Sequence, residues 1–175
     1  MRYPPGVSQT DFDQAVRQFQ SAIGSQWVYT DEADVDLYRD AYSPLWGEEE
    51  EKIPSIALAP QSAEEVQALM RICNEFRVPV YPVSTGRNLG YGGSAPVLNG
   101  SVVLDLKRMN RIIEVNEANA FALVEPGVSY FDLYTYIQEK GLNLWIDCPD
   151  PGWGSLIGNA LDHGCGYTVN PYRDH

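Results

Sequence analysis

The sequence is short of basic residues and of long apolar runs. Lys and Arg number 12 against 24 Asp and Glu, which gives the 175-residue chain a formal net charge of −12. Proteins that neutralise nucleic-acid phosphates carry clustered Lys and Arg, so we expect no nucleic-acid partner. No apolar run approaches the ~18 residues of a membrane-spanning helix, and the amino terminus lacks a basic stretch followed by an apolar one. We therefore expect neither a membrane partner nor a secretory signal peptide.

Cysteine and histidine are also scarce. The cysteines Cys73, Cys148 and Cys165 are odd in number and widely spaced, which argues against a disulfide framework and a paired-cysteine metal site. The histidines are His163 and His175, too few for a histidine-rich metal centre, and we expect no metal. Free cysteines are typical of a reducing compartment, so we expect a cytoplasmic location.

What the sequence does contain is a succession of short β candidates with few helices. Residues 1–52 are predicted to be a helical segment, with helices over residues 10–23 and 31–38. Residues 53–175 are predicted to be one domain, with helices over 62–76 and 129–139 and strands over 54–60, 78–82, 101–106, 111–115, 121–124 and 144–146. This order indicates an α+β fold.

Helical periodicity predicts which side chains face the core. The apolar face of the helix over residues 62–76 is expected to consist of Val66, Leu69, Met70, Cys73 and Phe76. Cys73 is therefore interpreted as a core residue and not as a reactive thiol. The helix over residues 129–139 is expected to be apolar mostly along one side, formed by Phe131, Leu133, Tyr134 and Ile137. The four consecutive glutamates at 48–51 are expected to form a solvated surface loop.

A glycine-rich stretch follows the strand over residues 78–82. Residues 84–93, here called the glycine loop, permit positive φ and a close approach of the backbone to a ligand. Successive N–H groups in such a turn suit phosphate oxygens, even in an acidic chain. The loop matches neither a Walker A nor a Rossmann spacing, and residues 152–158 follow no buried strand, so we reject them as a dinucleotide fingerprint. From these residues alone, a phosphate loop and ligand-free glycine turns both stay open.

Four longer stretches carry a family resemblance. In order, they are PVYPVSTGRNLGYGGSAP, GSVVLDLKRMNRIIEVN, ALVEPGVSYFDLY and CPDPGWGSLIGNALDHGCGYT. Together they resemble the vanillyl-alcohol oxidase/p-cresol methylhydroxylase flavoproteins, and most of all the eugenol and vanillyl-alcohol oxidases. The resemblance implies a PCMH-type FAD-binding domain of two small α/β subdomains, with FAD as cofactor. It also implies that the chain is the C-terminally truncated, N-terminal portion of such an enzyme, without the cap domain.

The resemblance also implies functional residues. Contacts with the FAD diphosphate are implied at Ser84, Thr85, Gly86, Arg87, Asn88, Gly90 and Gly92, with a surface role as the alternative for Arg87. Tyr91 matches a tyrosine that helps to bind the phenolic oxygen of the substrate, and Asp150 matches an aspartate beside the flavin N5. Without the resemblance, Tyr91 would be a packed aromatic and Asp150 a turn residue. The flavin wall is implied to include Pro149, Gly154, Ser155, Gly158, Asn159, Gly164 and Tyr167.

The implied reaction is the oxidation of 4-alkylphenols of the vanillyl alcohol, eugenol or p-cresol type. A hydride passes from the benzylic carbon to flavin N5, and water attacks the resulting quinone methide while Asp150 takes a proton from that water. The substrate would be a phenolic small molecule. The alternative is a catalytically inactive flavin-binding fragment or remnant. A second copy of the chain and a completing C-terminal polypeptide are alternative protein partners, and oxygen and a cytochrome are alternative electron acceptors.

Overall fold

The computed structural model describes residues 2–87, 93–147, 152–162 and 164 of the chain. The helices of these residues are α1 (Gln9–Ile23), α2 (Glu32–Asp36), α3 (Ala63–Phe76), α4 (Tyr130–Lys140) and α5 (Leu156–Leu161). The strands are β1 (Val28–Tyr29), β2 (Ala57–Leu58), β3 (Val80–Val83), β4 (Val102–Asp105), β5 (Ile112–Asn116) and β6 (Phe121–Val124). None of the described helices has the length and apolar character needed to cross a membrane.

Four strands form one sheet in the order β1-β2-β4-β3. Strands β2, β4 and β3 run parallel, and β1 pairs with β2 in the antiparallel sense. Val83, the last residue of β3, lies opposite Asp105, the last residue of β4. Because parallel strands end at the same edge of a sheet, the glycine loop leaves the sheet beside Asp105.

Helices α1 and α3 cover one face of this sheet. Phe12 and Phe19 of α1, Leu69 of α3 and Val102 of β4 have no exposed surface and belong to one apolar cluster. Full burial of such a side chain contributes about 1.5–3 kcal/mol relative to exposure. Cys73 lies in the same cluster, and burial raises the pKa of its thiol to about 12. The prediction that Cys73 is a core residue is confirmed.

The antiparallel hairpin of β5 and β6 forms a second, smaller sheet. Its connection to α4 passes very close to the end of β4, because a Cβ atom on Gly127 would lie 2.6 Å from the carbonyl oxygen of Lys107 and 2.7 Å from that of Leu106. Only glycine permits this approach of two backbones. Gly127 N also donates a hydrogen bond to Met109 O at 2.7 Å. The hairpin is therefore joined closely to the four-stranded sheet.

One observed strand was not predicted, and one predicted strand is wrong. Strand β1 was not predicted, since its two residues are too few to show an alternating pattern; it forms because Val28 pairs with Leu58. Residues 144–146, predicted as a strand, have no regular structure, and Trp145 is 78% exposed. An extended segment needs a neighbouring strand for its N–H and C=O groups, and no described strand pairs with this one.

The predicted buried faces of two helices also need correction. Helix α4 buries Tyr130, Leu133 and Ile137, whereas Phe131 and Tyr134 are more than half exposed. Residues 130, 133 and 137 recur at the helical spacing, and Phe131 and Tyr134 form a separate stripe beside them. On α3, the sheet covers Ile72 and leaves Met70 at the boundary with solvent.

Candidate functional site

The glycine loop begins with backbone geometry that favours glycine. Gly86 has φ +64° and Gly93 has φ +51°, both in the left-handed region. A Cβ atom on Gly86 would collide with the Oγ of the buried Ser94. The two ends of the loop, residues 84–87 and 93–94, therefore touch each other, and the absence of a side chain at Gly86 makes this contact feasible.

The beginning of α5 packs against the same end of the loop. A Cβ atom on Gly158 would collide with the Ser84 Oγ, so the helix backbone packs directly against this serine side chain. Ser155 holds the helix start: its Oγ donates to Pro126 O at 2.7 Å and accepts from Gly158 N at 3.1 Å. Asn159 Nδ2 donates to the Tyr130 hydroxyl at 2.9 Å. Gly86 and Gly158, each in contact with a serine hydroxyl, thus form a closely packed junction between the glycine loop and α5, here called the glycine cradle.

Residues 37–42, here called the wall segment, lie on the other side of the loop. The Tyr38 hydroxyl donates to Asp105 Oδ2 at 2.7 Å, and Lys107 donates to the same carboxylate through its backbone N at 2.9 Å and its Nζ at 3.0 Å. Burial, and next the charge of Asp105, raise the pKa of Tyr38 above its ordinary value. Asp105 therefore has three donors and fastens the wall segment to the carboxyl end of β4.

A buried ion pair gives the wall segment its second attachment. Arg39 donates to Glu51 in a fork, with Nε 2.7 Å from Oε1 and Nη2 2.6 Å from Oε2. Gly47 N donates to Glu51 Oε2 at 2.7 Å, and the Arg39 guanidinium lies 3.8 Å from the centre of the Trp46 ring. Glu51 is only 2% exposed, so the prediction of a solvated glutamate loop is wrong at this position. The reason is tertiary, since Arg39 offsets the cost of burying the carboxylate.

A cavity of about 280 Å³ lies between the glycine loop and the wall segment, lined by Leu37, Arg39, Asp40, Ala41, Tyr42, Gly86, Arg87, Gly93, Ser94 and Trp153. Arg87 is exposed, and no described carboxylate forms an ion pair with it. The cavity therefore combines the exposed guanidinium of Arg87, a carboxylate on Asp40 and the aromatic rings of Tyr42 and Trp153. Such a lining suits a ligand with an anionic part, hydroxyl groups and a flat ring.

The structure brings part of the predicted site together. Gly86 and Arg87 line the cavity, Ser84 meets Gly158, and Ser155 and Asn159 hold the adjoining helix. Thr85 is partly buried between Ser84 and Gly86, Gly154 O accepts from Tyr130 N at 3.1 Å, and Gly164 N donates to Asn159 O at 2.7 Å. The remaining predicted site residues lie outside the described residues: Asn88, Gly90, Tyr91, Gly92, Pro149, Asp150 and Tyr167.

Sequence reasoning missed the wall segment and Trp153. The segment has no glycine motif and no regular periodicity, and its approach to the glycine loop depends on contacts with Asp105 and Glu51, which are remote in sequence. The one usable signal was the pair of charges Arg39 and Glu51 flanking an aromatic-rich stretch.

Comparison with known proteins decides the family. A family model described as an FAD binding domain matches residues 54–175. The chain belongs to this family. It is 40% identical over 173 residues to the 4-cresol dehydrogenase [hydroxylating] flavoprotein subunit of Pseudomonas putida, a match that covers 98% of this chain and 32% of that protein.

Two solved structures extend the comparison. A 4-ethylphenol oxidase from Gulosibacter chungangensis, in complex with isoeugenol, superimposes with a TM-score of 0.93 at 46% identity over 99% of this chain and 33% of its own. p-Cresol methylhydroxylase with substrate bound gives a TM-score of 0.93 at 40% identity, over the same shares of the two chains. The chain thus spans about a third of the length of these relatives.

These matches confirm the resemblance, the α+β PCMH-type fold and the FAD cofactor, and they place the chain in an FAD-binding family of oxidoreductases. The described residues also fit a dinucleotide. The Ser94 and Ser84 hydroxyls occupy the space beside Gly86 and Gly158, and the open space of the site is the cavity lined by Gly86, Arg87 and Gly93. A diphosphate needs a close approach to backbone N–H groups, and glycines at the cavity edge permit it. The cofactor therefore agrees with the geometry of the site.

Proposed function

We propose that this chain is the FAD-binding portion of an enzyme that oxidises 4-alkylphenols. Within it, residues 53–175 would form the FAD-binding domain and residues 1–52 a helical amino-terminal segment, although α1 and β1 pack with the domain. The observation that carries the proposal is the glycine cradle beside a cavity with an exposed guanidinium and two aromatic rings. The substrate class is supported by the names of the relatives, which are a 4-cresol dehydrogenase and a 4-ethylphenol oxidase.

In this proposal the glycine loop holds the FAD diphosphate. Backbone N–H groups at Gly86, Asn88, Gly90 and Gly92 would donate to the phosphate oxygens, and Ser84, Thr85 and Arg87 would complete the site. Backbone donors suit this chain because its net charge of −12 leaves few Lys and Arg side chains for the task. Arg87 lines the cavity and is exposed, so its charge is available to an anion.

The second part of the proposed site is the flavin wall, which follows residue 148 and is distinct from the wall segment of residues 37–42. It would comprise Pro149, Gly154, Ser155, Gly158, Asn159, Gly164 and Tyr167. Ser155 keeps α5 in place through Pro126 O, and Gly158 lets the helix touch Ser84, so the wall is held at a set distance from the loop. The glycine loop and the flavin wall, which are remote from each other in sequence, would thus hold the dinucleotide from two sides.

The proposed chemistry places two side chains at the substrate. Bound FAD would accept a hydride from the benzylic carbon of the phenol. Tyr91 would hold the phenolic oxygen, and Asp150 would take a proton from the water that adds to the quinone methide. Pro149 and Pro151 on either side of Asp150 restrict the backbone there, which favours a stationary general base.

Flavin titration tests the cofactor part of the proposal. We expect the purified protein, as this chain and as the full-length polypeptide, to show the visible absorption of flavin and to bind added FAD. A protein that binds no flavin in either form contradicts the proposed function. Titration with 4-ethylphenol, followed by bleaching of the flavin absorption, tests the substrate class, and cyclohexanol serves as a non-phenolic control.

The alternative is a flavin-binding fragment without turnover, which needs a second polypeptide. It is favoured by the share of the relatives that this chain covers, about a third, and by the exposure of Tyr42 and Trp153 beside the cavity. A site with one side open loses the orientation that speeds the reaction. Turnover of a 4-alkylphenol with a redox dye by the 175-residue chain would exclude this alternative. A second copy and a completing polypeptide are both proposed as partners, and a cytoplasmic location is proposed from the free cysteines.

A further inference from the structure

The Arg39–Glu51 pair is a buried ion pair outside the apolar core. The side chains of Arg39 and Glu51 are 16% and 3% exposed, and three N–H groups converge on the Glu51 carboxylate. The Arg39 hydrogen bonds lower the pKa of Glu51, so the carboxylate is charged at neutral pH. The Trp46 ring covers the guanidinium. The ion pair therefore joins the two ends of residues 39–51, and the Trp46 ring covers it on one side.

Stability alone is a weak explanation for such a pair. Removing two charges from water has a large desolvation cost, and well-packed apolar residues often stabilise a protein as much as a buried ion pair does. What a forked Arg–carboxylate contact provides in addition is a defined distance and direction. We therefore expect the ion pair to contribute mainly by fixing the position of the residues next to Arg39.

Residues directly after Arg39 form one side of the cavity. Asp40, Ala41 and Tyr42 line it, facing Gly86 and Gly93 of the glycine loop. Asp40 Oδ1 accepts a hydrogen bond from Tyr42 N at 3.0 Å. The same oxygen would lie 3.9 Å from a Cβ atom added to Gly93. The wall segment and the glycine loop are thus almost in contact at this point. A small shift of Arg39 would therefore change the width of the cavity.

We propose that Arg39 and Glu51 are positioning residues for the flavin, which act by holding Asp40–Tyr42 at a set distance from the glycine loop. The inference rests on the proposed function, because the ligand whose binding it concerns is FAD. Glu51 does not line the cavity and acts through Arg39, which belongs to the wall segment and lines the cavity beside Asp40, Ala41 and Tyr42.

The chain contains a matched control pair in Arg111 and Glu125. Arg111 Nη2 lies 2.6 Å from Glu125 Oε1, Arg111 N donates to Glu125 Oε2 at 2.8 Å, and the Glu125 side chain is 8% exposed. Both residues belong to the β5–β6 region, and neither lines the cavity. Glu51→Gln and Glu125→Gln therefore each remove the charge of a buried carboxylate that pairs with an arginine, although Arg111 is 74% exposed and Arg39 only 16%. Only the first change acts on the wall segment.

The experiment measures the Kd of FAD for both variants by flavin fluorescence, in the polypeptide whose wild-type form binds FAD. We expect Glu51→Gln to raise the Kd about tenfold and Glu125→Gln to change it less than about twofold, with the melting temperature of both variants measured alongside. Hydrogen exchange of the amides of residues 40–47 should become faster in Glu51→Gln alone. Should Glu51→Gln fail to fold, Glu51→Asp, which keeps the charge and shortens the reach to Arg39, takes its place.

A double-mutant cycle separates positioning from general destabilisation. If Glu51 acts through the wall segment, adding Glu51→Gln to Tyr42→Ala raises the Kd much less than Glu51→Gln does alone. Additive effects, or equal Kd changes in Glu51→Gln and Glu125→Gln, would overturn the positioning role and leave the proposed function intact. A wild-type protein that binds no FAD in any form would overturn both.

Discussion

The two faces of the four-stranded sheet are built from different interactions. On one face, α1 and α3 bury aliphatic and aromatic side chains in a continuous cluster. On the other, a smaller cluster of Tyr38, Ala57, Val83 and Val103 is supplemented by the Tyr38–Asp105 hydrogen bond and the Arg39–Glu51 ion pair. Apolar burial is non-directional and scales with area, whereas forked hydrogen bonds define distances. The face that supplies most of the stability is thus not the face that shapes the cavity.

The largest effect on stability is expected from truncating a buried side chain on the apolar face of the sheet. Leu69→Ala should lower the free energy of unfolding by about 3 kcal/mol, because Leu69 is fully buried between α3 and the sheet. Met70→Ala, the next position along the helix, should cost less than about 1 kcal/mol because Met70 lies at the surface. Urea denaturation measures both. Equal losses would contradict the assignment of the buried face of α3.

A smaller effect is expected from the polar face. Tyr38→Phe removes a donor from the buried Asp105 carboxylate and should cost about 1–3 kcal/mol. Tyr81→Phe is the matched control, since Tyr81 packs against the same cluster and its hydroxyl makes no hydrogen bond to the described residues. If the two variants unfold at the same urea concentration, the Tyr38 hydroxyl does not fasten the wall segment.

A glycine of the glycine cradle and a surface glycine with nearly the same φ can be compared by substituting alanine for each and measuring FAD binding. Gly86→Ala and Gly141→Ala both place alanine at positive φ, +64° and +61°, and each should cost about 1–2 kcal/mol for that reason. Only Gly86→Ala also drives a methyl group into Ser94, whereas Gly141 has open space around it. FAD binding, followed by fluorescence, should be lost in Gly86→Ala and kept in Gly141→Ala. Retained binding in both would contradict the cradle.

Acid should weaken the ion-paired regions more than the apolar face. Hydrogen bonds from Arg39 and Arg111 lower the pKa values of Glu51 and Glu125 below the ordinary 4.5. A carboxyl with a lowered pKa in the folded state stabilises the protein above its unfolded pKa, and this contribution is lost as the pH falls. We expect the free energy of unfolding to decrease below about pH 4.5, and to decrease less steeply in Glu51→Gln. Urea midpoints near neutral pH and near pH ~3.5 measure the change; an identical pH dependence in wild type and variant would contradict it.

Much of the fold follows from local patterns in the sequence. The apolar spacing of α1 and α3 predicted both helices, and Ser129 marks the start of α4 with a complete capping box. The run at residues 101–106 predicted β4, whose four residues are all buried. These features depend on neighbours within a few positions, so periodicity and capping residues are sufficient to recognise them.

The site was only partly accessible from sequence. The glycine loop was identified from its composition and from the family resemblance, but composition left a ligand-free turn open. The wall segment, the burial of Glu51 and the inclusion of Trp153 were missed because each depends on residues far apart in the chain. The exposed stripe of Phe131 and Tyr134 on α4 was misjudged because an apolar side chain does not by itself indicate what covers it.

Short-range patterns in the sequence determined helices α1 to α4, most strands, the glycine loop and the family to which they belong, whereas α5 was not predicted. Three-dimensional packing alone made Glu51 an internal partner of Arg39, brought Asp40 against Gly93 and gave the cavity its second side. The physical reason is that helix formation and capping involve residues within about one turn of each other. A buried charge, by contrast, is stable only when a partner from elsewhere in the chain reaches it, and the folded topology determines which partner does.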